Sequence, residues 1–272
     1  MSYDRNQLME YLRDEQFVDR SSLSVVDLRE SIHGKTVKEW VDEAGEESRE
    51  GFEGQERFYG MMAQDIGSHN LPLFELFKSQ MYPIIVWGID NILRNGIMRG
   101  DRVLDIGCST GLESVFIGKM VGDTGEVYGV DIVPGFLERA RVRARRRNLG
   151  NVHFSIANRD RLPFDDNYFD SAVSVCSFTE GDTECYGPDG QYVINHILGE
   201  RAKEWHRVVR TGGKLFVNEP SDPRLQDYDK SRISGFFQYA GFDVEQVIQN
   251  GPRKIFDNGE SSSVISVIAR KV

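Results

Sequence analysis

The sequence predicts an α/β protein built on a doubly wound, mostly parallel sheet, and three observations carry that expectation. From Gly100 onward short apolar runs alternate with helical ones; the first of these runs breaks into a glycine-containing turn, "VLDIGCSTG"; and the chain closes with two strand-like runs that have no helix between them. Parallel strands need crossover connections, so β and α patterns alternate along a chain that builds such a sheet. With 272 residues, 39% of them hydrophobic, there is enough chain for one large domain and an appendage.

Taken in order, the residues up to about Arg57 are mostly polar, and "VDEAGEESREGFEGQER" reads as a solvated acidic loop. Between Phe58 and Ile97 the chain turns apolar and aromatic, with helical spacing at Ile85, Ile89 and Ile92. Residues 1–80 are therefore expected to form a mainly helical extension or cap, and residues 81–272 the sheet domain. The domain's expected elements are "RVLDI", a helix from Leu112, "EVYGVDI", a helix from Pro134, "VHFSI", "FDSAVSV", a helix through Trp205 and "GKLFVNE". A helix from Ser231 to Ala240 follows, then "FDVEQVIQ" and "SSVISVIAR", which should pair as an antiparallel hairpin.

Charge and composition narrow the function. A net charge of -10, with a pI near 5.1, opposes nonspecific attraction to nucleic acid or an anionic membrane. No DNA partner is expected, and the charge disfavours RNA. Cys108, Cys176 and Cys185 form no metal or disulfide pattern, and no segment reads as a signal peptide or membrane span, so a cytoplasmic protein without membrane insertion is the expectation. The arginine-rich run "RARVRARRR", from Arg139 to Arg147, is read as the exposed face of an amphipathic helix, with Phe136, Leu137 and Ala140 facing inward. Oligomeric state is left open.

The turn at Gly107 discriminates among ligands. A P-loop would need GxxxxGK, but Leu112 and Glu113 stand where its second glycine and its lysine belong. The dinucleotide fingerprint needs glycine where this chain has Ser109. What remains is DxGxxxG, with Asp105 placing a carboxylate where a phosphate binder avoids one, and with Asp131 ending the second strand where an acid meets ribose hydroxyls. A nucleoside carrying an amino group and no phosphate satisfies both.

The segments "VLDIGCSTG", "VYGVDIVPGFLERAR", "RLPFDDNYFDSAVSV" and "EWHRVVRTGGKLFVNE" resemble successive motifs of the class I S-adenosylmethionine-dependent methyltransferases, in the branch of quinone-biosynthesis and other small-molecule enzymes. The resemblance runs from about Ile84 to Glu219. It implies a Rossmann-like, seven-stranded doubly wound sheet with an antiparallel C-terminal strand, S-adenosylmethionine as donor and S-adenosylhomocysteine as product, and a small-molecule acceptor methylated by direct displacement. Carried onto this sequence, it sets Asp105, Gly107, Cys108 and Gly111 around the methionine portion, Asp131 on the ribose diol and Ile132 on the adenine. The family's usual GDA triplet before "LPF" is here Ala157, Asn158 and Arg159, so Asn158 would accept from the adenine amino group through its carbonyl oxygen. Relatives often carry a leucine and histidines after the fourth strand, where this chain has "CSFTEGDTECYGPDGQY".

Displacement at a sulfonium methyl needs alignment and exclusion of water, with a base only if the nucleophile starts protonated. Glu180 is the first candidate for substrate contact or proton removal, and His69 and Tyr82 come next. No metal is required. Three alternatives stay open: an RNA or protein methyltransferase, a noncatalytic S-adenosylmethionine-binding protein, and a Rossmann-like domain holding another nucleotide. Cys176 reads as a small buried strand-end residue and Cys108 as a loop residue rather than a nucleophile.

Overall fold

The computed structural model describes residues 4–15, 82–94, 96–179, 188–221, 226–249 and 261–272, together with 31–32, 35–36, 39, 60, 65–66, 71–72 and 254–255. Helices α1 (Arg5–Asp14) and α2 (Tyr82–Arg94) precede the sheet. It is then built from β1 (Arg102–Ile106), α3 (Leu112–Val121), β2 (Glu126–Asp131), α4 (Pro134–Arg146), β3 (Val152–Ile156), β4 (Phe169–Val175), α5 (Pro188–Val208), β5 (Val209–Ser221), α6 (Gln226–Ala240), β6 (Phe242–Ile248) and β7 (Ser261–Lys271). Helix α5 starts at Pro188, so the end of the polar stretch after β4 is helical; α6 starts five residues before the expected Ser231.

Spatial order in the sheet is β6-β7-β5-β4-β1-β2-β3, and a two-residue eighth strand, Lys254–Ile255, pairs with the start of β7. The pairs from β5 through β3 are parallel. β7 is antiparallel to both neighbours, β5 and β6. The expected hairpin therefore forms with its second strand inserted between the first and the rest of the sheet. Strand order reverses between β1 and β4, and their C-terminal ends border the crevice in which open α/β sheets bind ligands.

Side-chain alternation sorts the strands onto two cores. Val103, Val173, Phe216 and Ile268 face α1, α2 and α3, whereas Leu104, Ile106, Ala172, Leu215 and Val217 face α5 and α6 around Trp205 and Phe237. Both faces of the central strands are covered, which is why β1 and β4 are buried along nearly their whole length, with Asp105, Ser171 and Ser174 included.

Helix α1 belongs to the first of these cores. Leu8 and Leu12 are fully buried, the Tyr11 hydroxyl donates to the Leu112 carbonyl at 2.9 Å, and its ring lies 5.2 Å from that of Phe116. Ion pairs lock the other side: Glu15 accepts from Arg143 Nε at 2.9 Å and pairs with Arg147 Nη2 at 2.8 Å, and Asp14 pairs with Arg147 at 3.2 Å. The arginine run is thus only partly the exposed face expected of it. Arg143, the fifth residue of the run, turns inward and is buried. Covered by α1, helix α3 buries eight of its ten residues, Glu113 and Ser114 among them.

Among the described residues, no helix is long and apolar enough to cross a membrane, and no group of three or more His, Cys, Asp or Glu could hold a metal ion.

Candidate functional site

The turn after β1 is shaped by three residues in the left-handed region, Gly107 (φ 74°), Ser109 (φ 50°) and Gly111 (φ 74°). It is pinned to the neighbouring strand because the amides of Gly107 and Cys108 both donate to the Val130 carbonyl at 2.9 Å. Space requires glycine at two of the positions. A Cβ on Gly107 would lie 2.5 Å from that of Ser177, and one on Gly111 would lie 2.7 Å from that of Ala140 and 2.9 Å from Phe154 Cζ. Gly111 is the N-cap of α3 and supplies no side-chain acceptor, which leaves the first-turn amides of α3 uncapped by a side chain.

Two carboxylates bracket the turn. Asp105 is buried and its Oδ2 accepts from the Ser114 hydroxyl of α3. Asp131 straps the turn, accepting the Ser109 amide on Oδ2 at 2.9 Å and the Val133 amide on Oδ1 at 3.0 Å. Each carboxylate oxygen has a second acceptor position, so this geometry remains compatible with a diol. Between the two acids, the hydroxyls of Ser109 and Thr110 are buried, with no hydrogen-bond partner for either oxygen among the described residues. Buried hydroxyls are normally satisfied, and two adjacent orphans in one turn fit a polar ligand that completes them. Cys108 is buried as a packing residue; its sulfur would lie 2.9 Å from a Cβ on Gly129.

Ile132 is half-buried beside Asp131. Asn158 is exposed, and its carbonyl oxygen accepts the Asp160 amide at 2.8 Å inside the turn 158–161, so that oxygen is engaged by backbone. Arg159 points away from this turn toward the end of β4, donating from Nη1 to the Ser177 carbonyl at 2.7 Å. Glu180 and His69 lie outside the described residues. Tyr82 opens α2, and its side chain is likewise outside them.

Sequence reasoning missed a junction at Ser177, just beyond β4. Its hydroxyl donates to the Ile106 carbonyl at 2.7 Å and lies 2.7 Å from the Ser174 hydroxyl, and its amide donates to Glu219 at 2.9 Å. Glu219, near the end of β5, is fully buried. Burial pushes its carboxyl above the usual range, against the amides of Phe178 and Thr179, the Thr179 hydroxyl and the charge of Arg159, which favour the ionised form. The only sequence signal was a glutamate closing an apolar strand in "GKLFVNE".

A family model described as a methyltransferase domain matches residues 97–257, spanning every described element from β1 through β6. The demethylmenaquinone methyltransferase of Geobacillus sp. (strain WCH70) is 32% identical over 139 residues, 51% of this chain and 53% of that protein. The chain thus matches about half the length of this curated relative. Among solved structures, an S-adenosylmethionine-dependent methyltransferase from Aquifex aeolicus superposes with a TM-score of 0.53 at 21% identity, over 68% of this chain and 89% of that one. The cyclase SpnF superposes with a TM-score of 0.52 at 17% identity, over 67% and 79%. Both structures share the fold. With the family model covering more than half of its length, this chain belongs to the methyltransferase-domain family.

Proposed function

We propose that the protein transfers the methyl group of S-adenosylmethionine to a small organic acceptor, and that a ring of the quinone class, like that in the name of its Geobacillus relative, is the first acceptor to test. The observation that carries the reading is the turn between Asp105 and Asp131, with its left-handed glycines, uncapped helix start and two orphan hydroxyls. Bound there, S-adenosylmethionine supplies a sulfonium methyl that needs no further activation. Asp105 offers a buried negative charge to the ammonium group and Asp131 offers acceptor positions to the ribose diol. The chain's own part in the reaction is to align the acceptor and exclude water. In this reading Glu180, His69 and Tyr82 remain the candidates on the acceptor side, and residues 1–80 form the cap of a domain spanning 81–272. The negative charge and the cysteine pattern support a cytoplasmic enzyme without a nucleic-acid partner.

The test is transfer of a labelled methyl group from S-adenosylmethionine to a panel of quinols, phenols and amines. Labelled product from one class identifies the acceptor. Binding of S-adenosylhomocysteine with no product from any class would favour a noncatalytic binder.

A further inference from the structure

We propose that Glu219, Arg159 and Arg201 form a charged clamp that couples the turn beside the adenine, residues 158–160, to the loop opening the acceptor side, residues 177–179, and that Glu219 and Arg159 are positioning residues for the reaction. The inference rests on the methyltransferase reading for its functional half, and on geometry alone for its mechanical half.

The loop leaving β4 has its polar backbone held by ionic side chains. On one side the Glu219 carboxylate takes four donors: the amides of Ser177 at 2.9 Å and Phe178 at 2.8 Å on Oε1, and the Thr179 amide at 3.2 Å and hydroxyl at 2.7 Å on Oε2. On the other side Arg159 donates to the Ser177 carbonyl at 2.7 Å, and Arg201 donates to the Phe178 carbonyl. Arg201 is 1% exposed and is itself held by Asp160, with Nη2 to Oδ2 at 3.1 Å. Two acids and two guanidinium groups thus surround three residues of backbone. Hydrogen bonds to ionised partners are stronger than neutral ones, and truncating one member leaves another charge buried.

The arrangement links segments far apart in sequence. Arg159 and Asp160 come from the loop after β3, Ser177 to Thr179 from the loop after β4, Glu219 from β5 and Arg201 from α5. Trp205 fixes the first of these by donating from Nε1 to the Arg159 carbonyl at 2.9 Å. Ser177 also reaches the cofactor turn, since its hydroxyl donates to Ile106 and its Cβ occupies the space that Gly107 leaves. A ligand that orders the 158–160 turn or the Gly107 turn therefore acts on the loop that leads directly to Glu180. Simple satisfaction of a buried loop would need acceptors and donors, but not a donor drawn from the 158–160 turn.

The experiment is hydrogen exchange on the full chain, ligand-free and with S-adenosylhomocysteine, for wild type, Arg159→Met, Arg159→Lys and Glu219→Gln. In the ligand-free protein, Arg159→Met should speed exchange of the 177–179 amides about tenfold while a peptide over β1 keeps its rate, and Arg159→Lys should restore most of the protection. Glu219→Gln should act on the same amides. Equal exchange in wild type and Arg159→Met, equal behaviour of Met and Lys, or a change spread evenly over the molecule would overturn the clamp. If Glu219→Gln fails to fold, the Arg159 pair still decides. S-adenosylhomocysteine should protect 177–179 in wild type and lose that effect in Arg159→Met. Protection that survives Arg159→Met would overturn the coupling. Failure of wild type to bind S-adenosylhomocysteine would remove the methyltransferase reading and the functional half, with the ligand-free rates still deciding the mechanical half.

Discussion

Replacing Glu15 by alanine should unfold this protein far more readily than replacing Glu138, although both acids pair with arginines of the same helix. Glu15 is 11% exposed and holds Arg143, itself 8% exposed, at 2.9 Å. Removing it takes the paired carboxylate from a buried guanidinium that also donates to the Thr110 carbonyl of the cofactor turn. Breaking a buried ion pair costs about 3–5 kcal/mol, and the residual exposure of this one argues for the lower end, about 3 kcal/mol. Glu138 is 64% exposed, as is its partner Arg145, so its removal should cost less than about 1 kcal/mol. Thermal and urea unfolding of both variants measure the difference. At roughly 2–4 °C per kcal/mol for a chain of this size class, the Glu15 variant should melt about 6–12 °C lower than wild type and the Glu138 variant within about 4 °C of it. Indistinguishable melting of the two would refute the assignment of α1 to the core and restore the arginine run as a purely solvated face.

Gly111→Ala combines a left-handed backbone, costing about 1–2 kcal/mol, with a Cβ 2.7 Å from that of Ala140, an overpacking of about 1–3 kcal/mol. Gly100→Ala, whose Cβ would meet, among the described residues, Thr124 Oγ1 alone at 3.6 Å, should show the backbone part alone in urea denaturation. Thr110→Val removes a hydroxyl that has no partner among the described residues, so ligand-free stability should hold or rise slightly while affinity for S-adenosylhomocysteine falls about 2–10-fold; unchanged affinity would separate that hydroxyl from the ligand. Burial pushes His206 below its usual range, aided by the charge of Lys271. Its stabilising contribution is therefore complete above the unfolded value of 6.5 and is lost as pH falls through the lower folded value. Melting curves of wild type and His206→Gln from pH 7.5 to 5.5 should converge on the acid side, and parallel curves would contradict the sign.

The sheet was legible because its signals are local: strand-like runs alternating with helical ones, glycine at two of the three left-handed turn positions, and the two final runs without a helix between them. Asp131 was legible as the acid ending the second strand, although its hold on the Ser109 amide was not. What escaped depends on contacts across the chain. Arg143 looks like its neighbours in "RARVRARRR" until α1, more than a hundred residues away, supplies Glu15. Arg159 replaces the last residue of a family triplet, and only the fold shows it reaching Ser177. Glu219 carried no signal beyond ending a strand, because its four donors come from a loop some forty residues earlier. Fold alone leaves the chemistry open, since a methyltransferase and a cyclase superpose on this sheet about equally well.

The most direct test of the central claim is isothermal calorimetry with S-adenosylmethionine, S-adenosylhomocysteine and NAD, on wild type and on Asp131→Ala, with melting curves recorded alongside. The account predicts that the two sulfur nucleosides bind wild type and NAD does not, and that Asp131→Ala loses at least about tenfold in affinity, as expected for hydrogen bonds to a charged group. Binding of NAD without either sulfur nucleoside, or undiminished S-adenosylhomocysteine affinity in a folded Asp131→Ala variant, would contradict it.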